Sequence, residues 1–247
     1  MSFPRGVRIS TWNVEYAAGA AKNERRLARM REANAAIWVL TETHDSLVLG
    51  DGYHVLATEQ RPHGRAGGRW VVIASTFPFT RAIPTRDPLR TVAGMIDTPL
   101  GAVIIYGTVL PWHSDPGPSG DSRNWVEHHR VIPEQAAEWA DLRAAHPGVY
   151  LCVAGDLNTD LGGAHYYGTK QGRAALVEGL RAADLVCLTS TDRVPDGWLA
   201  HPPIDHVCVS APLSVGASVV EAWDGTTSDG VRLSDHSALV VELRSSR

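Results

Sequence analysis

Lysine is almost missing from this chain: of 23 basic residues only Lys22 and Lys170 are lysine, the rest being arginine. A formal charge of -4 argues against a broad basic surface. It leaves room for a local one, because the planar guanidinium grips phosphate better than an ammonium does. Cysteine is scarce too. Cys152, Cys187 and Cys208 each sit inside a strand-like apolar run and lack paired metal-ligand spacing, so they read as buried thiols suited to a reducing compartment. Long apolar runs are absent: the longest uncharged one, residues 100–112, falls short of the ~20 residues a spanning helix needs. Residues 1–5, Met-Ser-Phe-Pro-Arg, carry no apolar signal-peptide core. A soluble, cytoplasmic protein without membrane insertion is therefore expected. No Pro/Gly/Ser-rich linker or repeat divides the sequence, and 44% hydrophobic residues is ample for a large core. One domain spanning 1–247 is expected, acting as a monomer.

Strand and helix patterns alternate along the chain. Residues 7–14, 37–40, 53–58, 69–74 and 80–85 read as strands, 92–97 and 102–109 as a hairpin, and 149–154, 185–188, 204–209, 215–222 and 237–243 as further strands. Helical spacing covers 22–35, 127–145 and 172–183, with Pro147-Gly148 stopping the second. Many strands with about three helices imply two sheets packed face to face with helices outside.

Polar residues cluster where these apolar runs stop. Thr-Trp-Asn ends the first strand at Asn13, and Ile-Trp-Val-Leu-Thr precedes Glu42. Gly-Asp-Leu-Asn carries Asp156 and Asn158 on one side of an extended segment. Asp205-His206 enters a buried strand, and Ser-Asp-His at 234–236 precedes the last one. Each has a plain structural reading: Asn13 and the 156–158 pair as turn residues, Glu42 as a solvated strand end, and any one of 11 histidines as a bystander. Together, the carboxylates Glu42, Asp156, Asp205 and Asp235, the amides Asn13 and Asn158, and His236 suit a hard divalent cation beside a phosphate.

Taken in order, these strings resemble the endonuclease/exonuclease/phosphatase superfamily, the group with the deoxyribonuclease I-like fold, over residues 9–243. The resemblance implies an α/β protein, a four-layered α/β/β/α sandwich of two mixed, mostly antiparallel sheets, with Mg²⁺ or Mn²⁺ as cofactor and a phosphoester as substrate. It implies that Glu42 is the principal metal ligand, with Asn13 and Asp235 near the metal. Asp156 is the counterpart of the residue that positions or deprotonates water, Asn158 of its amide partner, and His236 of the phosphate-contacting imidazole paired with Asp205. The middle motif departs from the pattern. Abasic-site nucleases carry a Tyr and an Asn around a Pro, whereas this chain has Tyr106 too early and Trp112 after Pro111. That counts against a repair endonuclease and leaves His113 as the candidate for phosphate contact or leaving-group protonation.

The substrate expected first is nucleic acid, with Arg61, Arg65, Arg69, Arg123 and Arg130 flanking the site and Trp112, Trp125 and Trp198 available to bases. Ordinary solvated arginines are the plain alternative. The other readings are a phosphatase or a phospholipid or inositol-phosphate hydrolase, and a catalytically silent binding module.

Overall fold

A computed structural model describes residues 6–61 and 65–244. The signal-peptide reading of residues 1–5 lies outside the described residues. The chain opens with β1 (Gly6–Asn13), α1 (Ala20–Ala33) and β2 (Ile37–His44), then β3 (His54–Ala57), β4 (Gly68–Ser75) and β5 (Phe79–Ile83). A hairpin of β6 (Thr91–Thr98) and β7 (Gly101–Val109) leads into α2 (Val126–Ala145) and β8 (Tyr150–Asp156). Next come α3 (Lys170–Ala182), β9 (Leu185–Cys187), β10 (Asp205–Ser210), β11 (Ser218–Trp223) and β12 (Ala238–Arg244).

Two six-stranded sheets result, ordered β11-β12-β1-β2-β4-β3 and β5-β6-β7-β8-β10-β9. Each has one parallel pair, β1 with β2 and β7 with β8, and is otherwise antiparallel. A parallel pair needs a crossover, and α1 and α2 supply them. Apolar side chains alternate accordingly. Val39, Val71, Ile73, Ile105, Cys152 and Val207 meet between the sheets, Trp12, Trp38 and Leu40 point back beneath α1, and Tyr106 and Val153 lie beneath α2 and α3, with Trp139 of α2 packed on Tyr106. The layers are thus helix, sheet, sheet, helices, the α/β/β/α sandwich expected from the sequence. Gly107 shows how closely the sheets approach, since a Cβ there would lie 2.7 Å from Val71 Cγ1. No described helix is long and apolar enough to cross a membrane.

Three details differ from the sequence reading. The second strand runs on to His44 rather than ending at Leu40, with Glu42 a kink inside it at φ 47° and left out of the pairing with β4. A helical turn at Ala211–Ser214 delays β11 to Ser218. Cys187 is only half-buried, unlike Cys152 and Cys208, and all three cysteines are free.

The connectivity decides where the site forms. The parallel pairs send the C-terminal ends of β1, β2, β7 and β8 to one edge of the sandwich. Their antiparallel neighbours β10 and β12 begin at that same edge, Asp205 facing Asp156 and Leu239 facing Thr11 in register. Strings distant in sequence thereby converge.

Candidate active site

Asp156 ends β8, and the backbone delivers it through Gly155 at φ 135°, where a Cβ would stand 2.0 Å from Thr108 O. Only glycine permits that approach of β8 to β7. Asp156 is buried, and each of its oxygens accepts one hydrogen bond: Oδ1 from the Asn158 amide N–H at 2.9 Å, and Oδ2 from Asn13 Nδ2 at 3.1 Å. Asn158, left-handed at φ 47°, donates its own Nδ2 to Leu110 O at 2.9 Å.

Asp205, first residue of β10, is equally buried. His236 Nδ1 donates to its Oδ2 at 2.6 Å, which fixes the ring and leaves Nε2 without a hydrogen-bond partner among the described residues. Asp205 Oδ1 is buried and has no hydrogen-bond partner among the described residues. Ser234 ties this corner together: its hydroxyl donates to Asn13 O at 2.6 Å and accepts from His236 N at 3.0 Å. Ligand atoms of Asp156, Asp205 and His236 lie within 4.8 Å of one another.

The electrostatics follow from crowding three charges in a dry corner. Burial, then the Asp205 charge, pushes the Asp156 carboxyl up to about 7, with His236 opposing. Burial resists charging His236, yet Asp205 and Asp156 overcome it and push the imidazole up to about 10. Glu42 stands outside the triplet but in its field. Its burial raises its carboxyl above the usual range, against hydrogen bonds from Asn13 and Tyr16 and the charges of His236 and Arg61.

The structure therefore brings Asn13, Glu42, Asp156, Asn158, Asp205 and His236 into one corner. Asn13 presents N–H groups to the carboxylates, while its Oδ1 accepts from Glu15 N at 3.0 Å. Asp235 stays at the mouth, half-exposed, its carboxylate 3.5 Å from Arg232. His113 lies further out, exposed, its ring 2.9 Å from Ser114 Oγ and edge-on to Trp125. No hydrogen bond or ion pair joins it to the cluster among the described residues. Tyr106 is core, donating to Glu138 Oε2 at 2.7 Å.

Of the arginines expected at a nucleic acid, Arg69 is held by Asp45 and Arg130 by Glu127 and Glu134. Arg61, Arg65 and Arg123 have no carboxylate partner among the described residues. Arg61 is sandwiched, 4.7 Å from the Tyr16 ring centre and 3.7 Å from that of Trp70. Tyr16 was invisible in the sequence because it sits on three successive left-handed residues, Glu15, Tyr16 and Ala17, none a glycine. A cavity of about 570 Å³ opens directly on Asp205, Asp235 and His236, with Tyr166 and Tyr167 in its wall. A larger one, about 640 Å³, lies around Gly6, Arg8 and Tyr53 at the opposite end of β1 and holds none of the cluster.

The donor set suits a divalent cation. Asp205 Oδ1, buried and without a partner among the described residues, is an oxygen that a hard ion would satisfy, and carboxylates dominate the corner.

Residues 10–236 match the model of the Endonuclease/Exonuclease/phosphatase family, and the chain belongs to that family, which gathers metal-dependent phosphoesterases. A structure described as an endonuclease/exonuclease/phosphatase from Beutenbergia cavernae is 21% identical, with a TM-score of 0.64 over 98% of this chain and 72% of that one. The AP endonuclease LMAP from Leishmania major is 17% identical, with a TM-score of 0.67 over 98% and 88%. A humanized TDP2 from D. rerio is 13% identical, again at 0.67, over 98% and 100%. These likenesses establish the shared fold. No curated protein matches the sequence significantly.

Proposed function

We propose that this chain is a divalent-metal-dependent phosphodiester hydrolase acting on nucleic acid, with the whole site carried by one catalytic unit and one chain. The observation that supports it best is the buried corner of Asp156, Asp205 and His236 beside Glu42. Its carboxylates serve water activation and cation binding, and its charged imidazole serves an anionic substrate.

Asp156 orients a water and takes its proton, the carboxyl being raised to about 7, where a base works near neutral pH. The water oxygen bonds to phosphorus as the bond to the opposite, leaving oxygen breaks, with no covalent enzyme intermediate. Asp205 holds His236 charged through Nδ1 and so presents Nε2–H to a non-bridging phosphate oxygen. Asn158 stands beside Asp156 as the neutral donor to the same phosphate, and His113 is the outlying candidate for the leaving oxygen. Glu42 would hold the cation, flanked by Asn13 and Asp235, with Asp156 and Asp205 Oδ1 adding hard oxygens. Bound there, a Mg²⁺ or Mn²⁺ ion neutralises phosphate charge and stabilises the leaving oxygen. The three free thiols suit a reducing, cytoplasmic setting.

A metal-supplemented panel tests this reading: supercoiled plasmid, single-stranded DNA, RNA, an abasic duplex, a lipid phosphodiester and inositol phosphates. Hydrolysis of at least one nucleic acid is expected. Turnover confined to a lipid headgroup or an inositol phosphate contradicts it.

A further inference from the structure

A second cavity of about 570 Å³ lies on the other side of Arg61 from the catalytic corner. Trp70 and Trp112, their ring centres 5.6 Å apart and tilted by 42°, form one wall, and Leu89, Pro116 and Pro118 add apolar surface. Two contacts link it to the chemistry. Arg61 spans from the Trp70 ring to the Tyr16 ring, and Tyr16 and Arg61 both act on the Glu42 carboxyl, drawing it down against its burial. Trp112 follows Leu110 and Pro111, whose carbonyls accept from Asn158 and His128, so its segment runs along the end of β8.

The charges of this cavity cancel. Its lining holds as many carboxylates as guanidinium groups, and Arg86, Arg90 and Arg130 are tied to Asp141, Asp115 and Glu127. A phosphate cluster or inositol phosphate needs cations in excess, and here, among the described residues, only Arg61 has no carboxylate partner, and it is already stacked on aromatic rings. What fits tilted tryptophans ringed by both hydrogen-bond donors and acceptors is a flat, neutral group with donors and acceptors of its own. We propose that this cavity takes one unpaired nucleobase of the substrate, stacked on Trp112 while the adjoining phosphate reaches the catalytic corner past Arg61. The proposal rests on the nucleic-acid reading above and makes the cavity the determinant that separates nucleic acid from base-free phosphoesters.

The test compares two ligands on the full chain: 2-aminopurine deoxyriboside 5′-monophosphate, whose fluorescence is quenched by stacking, and deoxyribose 5-phosphate, which has no base. The base-bearing ligand should bind more tightly and be quenched. The ratio of the two affinities should fall about tenfold or more in Trp112→Ala, the scale of one lost base–aromatic stack. It should also fall in Leu89→Trp, which narrows the cavity without removing an aromatic ring. Equal binding of the two ligands by the unaltered chain overturns the proposal, as does a ratio unmoved by both substitutions, or affinities that fall uniformly for both ligands. Quenching lost in both variants while no nucleic acid is hydrolysed upholds the cavity and contradicts the nuclease reading. Plasmid nicking with no preference for the base-bearing ligand does the reverse.

Discussion

In the proposed mechanism His236 carries a charge that burial opposes and the Asp205 carboxylate favours, so Asp205 serves the imidazole through Oδ2 as well as the cation through Oδ1. The two should act as one unit. A double-mutant cycle of His236→Ala and Asp205→Ala should be strongly non-additive in turnover, whereas additive losses would show the 2.6 Å contact to be incidental to catalysis. The pKa directions also set a stability profile. Asp156 titrates near 7 in the folded chain against 3.8 ordinarily, so its contribution is present at low pH and lost as pH rises through 7. His236, raised from 6.5 to about 10, contributes below 6.5 and loses that contribution as pH rises through 10. The Asp156 loss is complete near pH 7, so His236 should make the metal-free protein melt at progressively lower temperature between pH 7 and 10. Asp156→Asn, which has no carboxylate to desolvate, should melt above the wild type at pH 8 by scanning calorimetry. A lower melting temperature for that variant would show Asp156 to be a structural acid rather than a strained functional one.

At the scale of elements, α2 is fastened to the active-site edge by one buried imidazole. His128 Nδ1 donates to Pro111 O at 2.7 Å and its Nε2 accepts from the Thr159 hydroxyl at 2.9 Å, so the ring is neutral with a fixed tautomer. Burial lowers it to about 4 from 6.5, so its contribution is present above 6.5 and lost as pH falls towards 4. That loss amounts to roughly 3 kcal/mol. Urea midpoints should drop over that window, and His128→Asn should flatten the drop; an unchanged slope would mean that the imidazole is not buried neutral. The β7–β8 pair makes a second fastening, and Gly155→Ala should cost about 1–3 kcal/mol from backbone strain alone, with activity falling as Asp156 is displaced. These elements also show what the sequence could and could not reveal. Alternating or helically spaced apolar residues marked nearly every strand and helix. Glu42 and Tyr16 gave no such sign, because their left-handed backbone is imposed by tertiary contacts and neither residue type favours it. The pairing of Asp205 with His236 spans 31 positions and depends on β10 and β12 starting at one edge, a fact of topology that no local pattern carries. The exposed places of Asp235 and His113 were equally hidden, since both depend on how loops leave that edge.

For the whole molecule, the sandwich gathers acids at one rim, and under the nucleic-acid function proposed above a chain of net charge -4 must still hold a polyanion. Local arginines have to do this. With Arg69 and Arg130 committed to carboxylates, Arg61, Arg65 and Arg123 remain. Three phosphate contacts predict a slope of log affinity against log salt of about -2 for a single strand. Arg61→Ala together with Arg65→Ala should flatten it, whereas a slope near zero in the unaltered chain would point to a small phosphoester. The central claim is that Asp156 activates water in a cation-dependent phosphodiester hydrolysis. The most direct measurement is single-turnover nicking of supercoiled plasmid by wild type and Asp156→Asn, each with Mn²⁺ and with a chelator, alongside their affinities for the plasmid. The account predicts nicking only with Mn²⁺, at a rate about 10²–10⁴ lower in Asp156→Asn than in the wild type, and comparable affinity in both. Wild-type nicking that survives the chelator, or a near-normal rate in Asp156→Asn, would contradict it.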